Sequence, residues 1–425
     1  MKKRICTISV IILTLLAVVL LVFKFTTDDT SSALADTPIV ESNAQNVENN
    51  AQNVENIDTN LSQNEKETFE EPLEPIKPNP IEPPSIQIVM VGDMLMHGRV
   101  MESGLKEDGS YNFDHLFANV KDSIEGADLA IVNQETILGG TELGLSGYPA
   151  FNSPYELGDS LVAAGFDVIL HATNHTLDKG KKGVLNCMNF WDTNYPEIAY
   201  LGINKSQEEQ DTNIYIYEQD GIEIAILNYT YGTNGIPTPD DMPYIVNYLD
   251  EEKIISDLTY AEENADFTVV CPHWGTEYVL SATDSQKKWA KIFMENGADL
   301  VIGTHPHVIE PVEMLTDENG NEMLVYYSIG NFVNGTSGTG DGTTNRMVGG
   351  IADVTVSLDE TGKAYIESYD VIPIVCHIDE KTEYTVYYLS DYTEELAKEN
   401  HIVSQDANFS LEACQNLVYK VWNKS

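Results

Sequence analysis

The sequence has few basic residues and few cysteines, and each shortage excludes a class of protein. In 425 residues, 23 lysines and arginines stand against 68 aspartates and glutamates, which gives a formal net charge of −45. So negative a field repels nucleic acid unless bound metal ions offset it locally, and we therefore expect no nucleic-acid partner. The five cysteines contain no CxxC pair, which excludes a zinc knuckle but leaves buried free thiols or one disulfide open.

The N-terminus carries a long apolar run. Residues 5–23 contain no charged side chain and lie between the basic segment Met1–Arg4 and Lys24. A run of this length can cross a bilayer, and the basic residues before it favour a cytoplasmic N-terminus. We therefore predict an uncleaved signal anchor over residues 1–24, which makes the chain a single-pass protein of the cell membrane with an extracellular C-terminal part. The alternative is a protein secreted after cleavage near Ala35, because Ala33-Leu-Ala35 offers a small-x-small site.

Residues 25–84 have the composition of a disordered linker. The segment Asn43–Asn49 is repeated directly as Asn50–Asn56, and six prolines lie between residues 72 and 84. Proline-rich chains without a hydrophobic core are extended and stiff, so we predict a spacer that holds a domain away from the membrane. Removing the four basic residues of 1–24 and the net −11 of this linker from the total leaves about −38 on residues 85–425.

From Ser85 onward, short apolar runs alternate with helical patterns, which is typical of an α/β sheet. Five predicted strands are followed by polar clusters: Ile86–Val91, Asp128–Val132, Phe166–Leu170, Phe267–Cys271 and Asp299–Ile302. The predicted helices are Pro154–Ala164, Gly180–Trp191, Asp250–Asn264, Asp284–Asn296 and Leu411–Trp422. Hairpins around Asp220-Gly221, Asn319-Gly320 and Thr361-Gly362 indicate either a mixed sheet or two sheets. We predict a folded domain over residues 85–375 and a C-terminal extension, 376–425, that packs on it.

Side chains that can bind metal follow all five of these strands. His305 and His307 come just after Ile302, and residues i and i+2 of an extended chain point to the same side, so both imidazoles should enter one cleft. The other positions are Asp93 with His97, Glu135 with Asn133, Asn174 with His175, and His273. Ligands at the carboxyl ends of strands are the general arrangement of α/β active sites. The sequence therefore predicts one shared metal site.

The residue types in this set suit a pair of metal ions. Two divalent cations about 3.5–4 Å apart need a bridging carboxylate, which Glu135 or Asp93 can supply, and separate ligands on each side. The histidines and the Asn174 carbonyl complete the two shells, and the mixed set fits Mn²⁺, Fe²⁺ or Zn²⁺ equally. A water held by both ions becomes a hydroxide nucleophile near neutral pH. His175 is the predicted catalytic residue, because it can protonate a leaving group beside the ligand Asn174.

Taken together and in this order, the motifs resemble the bacterial CapA family of poly-γ-glutamate capsule biosynthesis proteins, whose domain is related to calcineurin-like metallophosphoesterases. The resemblance covers about residues 86–335 and rests on Val91–His97, Asn133–Thr136, Phe151–Pro154, Ala172–Asp178, His273–Tyr278, Gly303–His307 and Tyr327–Phe332. It implies a four-layer αββα sandwich of the metallophosphoesterase type. It also implies a membrane-anchored outer domain in the synthesis or export of an envelope polymer. The implied partners are an anionic polymer such as poly-γ-glutamate and membrane capsule-synthesis proteins.

The resemblance carries the family's ligand roles onto matching positions: Asp93, His97, Glu135, Asn174, His273, His305 and His307. Two motifs depart from the metallophosphoesterase pattern, because Asp93-x-x-x-His97 replaces Asp-x-His and Asn133-x-Glu135 replaces the motif with the bridging aspartate. These departures weaken the case for phosphomonoesterase activity. The predicted substrate-pocket residues are Asn133, Asp178, Trp274, Glu277, Tyr278 and Asn331. Each has a structural alternative, such as core packing for Trp274.

Two functions from different classes remain open. The first is a dinuclear-metal hydrolase outside the membrane that cuts a phosphoester or a γ-glutamyl amide. The second is a non-catalytic, metal-containing protein that binds or positions the polymer in an export complex. His175 favours catalysis, because a pure binding site needs no acid beside its ligands. A related protein that acts on another envelope substrate, in an organism without a capsule, is a third alternative.

Overall fold

The computed structural model describes residues 83–212, 214–340, 342–380 and 383–424. The predicted signal anchor and the linker up to residue 82 lie outside these residues. Within the described ranges, no helix is long and apolar enough to span a membrane.

The described residues form two mixed β-sheets with helices. The strands are β1 (Ser85–Met94), β2 (Leu129–Asn133), β3 (Val168–Leu170), β4 (Ala199–Leu201), β5 (Tyr215–Gln219), β6 (Ile222–Thr230), β7 (Phe267–His273), β8 (Leu300–Ile302), β9 (Val312–Thr316), β10 (Glu322–Tyr326), β11 (Asn331–Val333), β12 (Val348–Leu358), β13 (Ala364–Asp379) and β14 (Glu383–Tyr388). The helices are α1 (Gly98–Gly104), α2 (Lys121–Glu125), α3 (Glu156–Ala164), α4 (Gly180–Asn194), α5 (Gln207–Thr212), α6 (Glu251–Asn264), α7 (Asp284–Glu295), α8 (Glu394–Glu399) and α9 (Leu411–Trp422). The predicted mixed α/β class is confirmed.

Each sheet combines parallel and antiparallel strands. The first sheet has the order β14-β13-β12-β1-β2-β3-β4, with β11 beside the end of β1. Strands β1 to β4 are parallel, whereas β12, β13 and β14 are antiparallel to their neighbours. The second sheet has the order β5-β6-β7-β8-β10-β9, in which β6, β7, β8 and β10 are parallel and both edge strands are antiparallel. Neighbouring parallel strands therefore present their carboxyl ends along one edge of each sheet.

The alternation of side chains along β1 divides its apolar residues between two cores. Ile86, Ile88 and Met90 belong to the core between the two sheets, together with residues of β6 such as Ile224. Val89 and Val91 point to the opposite face of β1 and belong to the core under α3 and α4. Helices α6 and α7 cover the outer face of the second sheet. Because one core lies between the sheets and each outer face is covered by helices, the layer order is helices, sheet, sheet, helices. Burying each large apolar side chain in these cores contributes about 1.5–3 kcal/mol.

The residues after 375 complete the first sheet. Strand β13 runs from Ala364 to Asp379 across the predicted boundary at residue 375, and β14 pairs with it. Helix α9 has the predicted bounds, and the indole N–H of Trp422 donates to the Glu310 carbonyl at 2.8 Å. The C-terminal segment is thus part of the same fold. The structure favours buried free thiols over a disulfide among the described cysteines. These are Cys187, Cys271, Cys376 and Cys414.

Candidate metal centre

The predicted metal ligands come together where the carboxyl ends of strands from both sheets meet. Asp93 lies at the end of β1, Glu135 follows β2, His273 ends β7, and His305 and His307 follow β8. All five side chains are buried. Ligand atoms of Glu135, His273 and His305 lie within 4.8 Å of one another, and so do those of Asp93, Glu135 and His307. Glu135 belongs to both groups, so these two candidate ligand groups share one carboxylate.

The Glu135 carboxylate is 1 % exposed, and neither of its oxygens has a hydrogen-bond partner among the described residues. Three imidazole nitrogens lie around its Oε1: His307 Nε2 at 3.7 Å, His273 Nε2 at 3.8 Å and His175 Nε2 at 4.0 Å. Burial raises the pKa of Glu135, against the opposing effect of charge on His307. A buried carboxylate without a partner is costly, so an arrangement with imidazoles just beyond hydrogen-bond distance fits cations between these groups.

Asp93 connects the histidine loop of the second sheet to β1 of the first. The backbone N–H of His305 donates to Asp93 Oδ2 at 3.2 Å, and His307 Nδ1 lies 3.1 Å from the same oxygen. The Asn133 amide donates to Asp93 Oδ1 at 2.7 Å. Burial alone would lower the pKa of His307, but the negative charges of Glu135 and Asp93 outweigh it and raise that pKa to about 9. Asn133 therefore supports a predicted ligand through this hydrogen bond.

His305 and His307 converge for a reason other than the predicted one. We expected an extended chain, but β8 ends at Ile302 and both histidines have left-handed backbones, with φ of 98° and 57°. Their ring centroids are 5.7 Å apart. Non-glycine residues in this region cost of the order of 1–3 kcal/mol each, and they persist where the surroundings fix them. A strained turn held by Asp93, and not strand alternation, brings the two rings together.

His175 forms a close pair with Asp178. Its Nδ1 lies 2.7 Å from Asp178 Oδ2, and the same oxygen accepts a hydrogen bond from the Phe151 backbone N–H at 2.7 Å. The Phe151 ring packs edge-on against His175, with centroids 4.7 Å apart. A carboxylate at Nδ1 fixes the orientation of the ring. This leaves Nε2, on the side of Glu135, as the nitrogen available for proton transfer.

The two remaining predicted ligands, Asn174 and His97, differ in where they lie relative to the ligand groups. Asn174 Oδ1 lies 3.1 Å from His273 Nε2, so Asn174 adjoins the group of Glu135, His273 and His305. His97 belongs to neither ligand group. It immediately precedes α1, and its ring packs edge-on against Phe151 with centroids 5.1 Å apart. Burial lowers the pKa of His97 to about 4. The ring lines a neighbouring cleft, and ligation by His97 stays a prediction.

A cleft of about 290 Å³ opens beside the ligand groups, and His97, His175 and His307 line it. Of the predicted substrate residues, Glu277 and Tyr278 also line this cleft. The others do not: Asn133, Asp178, Asn331 and Trp274.

Two of those residues have other roles in the structure. Asn331 Oδ1 lies 3.1 Å from His307 Nδ1, so Asn331 supports a predicted ligand. Trp274 is 1 % exposed, donates to the Tyr327 carbonyl at 2.9 Å and stacks on Phe293. The packing alternative therefore holds for Trp274, because its indole is directed into the core beneath α7.

Arg346 and the segment 334–338 line the cleft, but the sequence did not single them out as site residues. The guanidinium carbon of Arg346 lies 3.8 Å from the centre of the Tyr278 ring, and its Nη1 donates to Thr336 Oγ1 at 2.8 Å. Arg346 is one of three arginines in the chain, and it follows a glycine- and threonine-rich stretch. Those signals mark it as unusual, but only the fold connects it to the predicted ligands, which lie well before it in the chain.

Comparison with known proteins gives one family match and two curated relatives. The family model described as "Bacterial capsule synthesis protein PGA_cap" matches residues 87–336. "PGA biosynthesis protein CapA" of Bacillus subtilis (strain 168) is 27 % identical over 257 residues, which cover 57 % of this chain and 62 % of that protein. "Capsule biosynthesis protein CapA" of Bacillus anthracis is 25 % identical over 257 residues, which cover 58 % and 59 %. The chain thus spans about three fifths of the length of these relatives.

The solved structures that match this chain include two nucleotidases. Haemophilus influenzae NAD nucleotidase (NadN) has a TM-score of 0.45 at 13 % identity, over 79 % of this chain and 66 % of that chain. The 5'-nucleotidase precursor from Thermus thermophilus has a TM-score of 0.42 at 13 % identity, over 79 % and 59 %. Both TM-scores lie below 0.5.

Proposed function

Because the chain belongs to the bacterial capsule synthesis protein family PGA_cap, we propose that it acts in the synthesis or export of a capsule or another envelope polymer, as a dinuclear-metal hydrolase. The family match covers residues 87–336, which contain all of the predicted metal ligands. The two curated relatives are named for PGA and capsule biosynthesis, which supports poly-γ-glutamate as the polymer. The bond cleaved would be a phosphoester or a γ-glutamyl amide.

The buried, unpartnered Glu135 carboxylate carries this proposal. Asp93, Glu135 and His307 would hold one cation, and Glu135, His273 and His305, with Asn174 beside them, would hold the other. This mixture of carboxylate oxygen and imidazole nitrogen suits Mn²⁺, Fe²⁺ or Zn²⁺. When bound, such ions polarise a phosphoryl or carbonyl oxygen and lower the pKa of a bound water toward neutral pH.

The residues around the centre would position and protonate the substrate. His175 would carry a proton at Nε2 and donate it to the leaving group, while Asp178 holds the ring by its Nδ1. Phe151 packs against His175 and leaves it only 6 % exposed, which restricts exchange with bulk water. The resulting site can therefore deliver a proton to an oxygen or nitrogen leaving group placed beside Glu135.

Residues 1–84 provide the basis for a location outside the membrane. We propose that residues 5–23 anchor the chain in the cell membrane and that the linker carries the domain outward, near membrane capsule-synthesis proteins. Protease treatment of intact cells tests this proposal, because it should release a fragment of the domain and leave the N-terminus in the membrane fraction. Recovery of the domain from the medium without protease would instead support secretion after Ala35.

Metal content and hydrolysis, measured on the purified full chain, test the enzymatic proposal. The substrates are a p-nitrophenyl phosphodiester and γ-glutamyl amides, and the variants are Glu135→Gln and His175→Gln, with His115→Gln as the matched histidine control outside the site. We expect about two metal ions per wild-type chain. Glu135→Gln should lose metal, whereas His175→Gln should keep it and lose about 10²–10⁴-fold in kcat. Two metals without turnover would favour the polymer-binding alternative, and a metal-free protein would refute the centre.

A further inference from the structure

Arg346 is the single lysine or arginine among the residues that line the cleft. Its position is unusual, because the chain has a net charge of −45 and the same cleft contains Glu277. Among the described residues, no carboxylate forms an ion pair with Arg346. A guanidinium without a carboxylate partner, beside a candidate active centre, is a natural receptor for an anionic group of a ligand.

The guanidinium is held in a fixed position relative to the predicted ligands. Tyr278 stacks on it, with 3.8 Å from the ring centre to the guanidinium carbon, and Thr336 Oγ1 accepts from Nη1 at 2.8 Å. The Tyr278 ring in turn lies 6.0 Å, centroid to centroid, from the ring of His307. On the backbone side, the Asn331 amide donates to the Arg346 carbonyl at 3.0 Å, while its oxygen lies 3.1 Å from His307 Nδ1. One asparagine thus connects the arginine and the predicted ligand, and ligand binding would cost little reorganisation.

Most of the guanidinium's hydrogen-bonding capacity is unused among the residues that the structure describes. Of its five N–H donors, the one hydrogen bond to Thr336 Oγ1 occupies one. The Nε nitrogen is buried and has no partner among the described residues. An arginine whose role was only to hold the segment 334–338 against Tyr278 would not need these further donors. Apart from the buried Nε, the donors of Nη1 and Nη2 lie in one plane as a fork, which matches the two oxygens of a carboxylate.

We propose that Arg346 is a specificity-determining residue that binds a carboxylate of the substrate beside the metal centre. This inference rests on the proposed function, because it assumes that the cleft receives the polymer. A carboxylate fits better than a phosphate, because one arginine near Glu277 offers too little positive charge for a dianion. The polymer would thus be recognised through a side carboxylate, while the bond to be cleaved lies at the predicted ligands.

Binding of a γ-linked glutamate trimer and of its α-amide counterpart, measured by calorimetry on the Mn²⁺-loaded full chain, tests the proposal. The two probes share a shape and differ in charge, so with wild type and Arg346→Met they form a double-mutant cycle. We expect the wild type to bind the carboxylate trimer about tenfold or more tightly than the amide, as for charge-assisted hydrogen bonds. Arg346→Met should bind both probes alike and keep its metal. Arg346→Lys, which retains charge without the fork, should fall between them, and Arg99→Met, an exposed arginine outside the cleft, should behave as wild type.

Several outcomes would overturn the assignment. Discrimination between the probes that survives in Arg346→Met would show that another group recognises the carboxylate. Wild-type protein that binds neither probe would refute recognition of a carboxylate in this cleft. A larger loss of inorganic phosphate binding than of trimer binding in Arg346→Met would replace carboxylate by phosphate recognition. Metal content, measured in the same samples, separates these failures from failure of the proposed function, since a metal-free wild type refutes the centre whatever Arg346 binds.

Discussion

Asp178 contacts both His175 and the Phe151 backbone N–H, and a change at this one carboxylate should therefore affect the site. In Asp178→Asn, an amide replaces the oxygen that accepts from both His175 and the Phe151 N–H. The His175 ring then loses the carboxylate that orients it, and we expect kcat to fall about 10–100-fold with unchanged metal content, as for other groups that orient a site histidine. The pH–rate profile, with Asp241→Asn as an exposed control, checks this result. An unchanged kcat would remove the proton-transfer role from the pair.

Glu310 gives a second prediction at the level of one residue, because it is a buried acid that the proposed chemistry does not use. Gln286 donates to its Oε2 at 2.5 Å, and its Oε1 has no partner. Burial raises the pKa of Glu310 from 4.5 to about 7. Between these pH values the unfolded chain loses the proton while the folded chain keeps it, so the free energy of unfolding falls as pH rises through this window.

Glu310→Gln should remove that loss. We expect the variant to be more stable than wild type at pH 8, by of the order of 1–3 kcal/mol, and nearly equal to it at the acid end of the window. Denaturant unfolding in the presence of a chelator measures this without metal effects, and the exposed Glu318→Gln is the matched control. A difference that does not depend on pH would mean that Glu310 stays ionised in the folded protein.

Between elements, the close approach of β1 to the turn before β11 leaves no room for a side chain at Gly92. A Cβ there would meet the Gly330 carbonyl oxygen at 1.9 Å, and that oxygen also accepts from the Asp93 N–H at 3.1 Å. Gly92→Ala should therefore cost about 1–3 kcal/mol or more and weaken metal binding by displacing Asp93. Gly98→Ala is the control, because its Cβ would meet nothing within 4 Å and alanine favours the helix there. Thermal unfolding and metal titration of both variants compare the two effects, and equal stabilities would show that β1 can shift.

The elements themselves were largely predictable from the sequence, whereas their turns were not. Apolar runs such as Phe267–Cys271 are buried on both faces in a parallel sheet, and this produces a clear signal. The positive φ of His305 follows from its hydrogen bond to Asp93, which lies 212 positions earlier in the chain, and no local pattern records such a contact. Arg346 was missed for the same reason, because Tyr278 and Thr336 become its neighbours only in the folded chain. The convergence of five predicted ligands could be inferred, but the backbone that produces it could not.

Over the whole molecule, the two sheets supply complementary parts of one centre. The first sheet contributes Asp93 and Glu135, and the second contributes His273, His305 and His307. Carboxylates thus come from one sheet and imidazoles from the other, so the geometry of the centre depends on how the sheets pack across the core that holds Ile88 and Ile226. Cation binding that bridges both sheets should in turn stabilise the folded state by mass action.

The charge of the folded region leads to a prediction about long polymers. Residues 85–425 carry about −38, so under the proposed function a polyanion would be repelled by the net charge and attracted only at the cleft that contains Arg346, beside the proposed cations. Repulsion acts over a Debye length, which is about 10 Å at 0.1 M salt and shortens as salt rises. The association rate of long poly-γ-glutamate should therefore increase severalfold from low to physiological salt, whereas that of a trimer, which reaches only the cleft, should change less. Stopped-flow measurements at several salt concentrations, with an uncharged polymer of equal length as control, distinguish this from ordinary attraction between opposite charges. A rate that falls with salt would require a basic docking surface, and the charge of this domain would then have to be offset by cations beyond the centre.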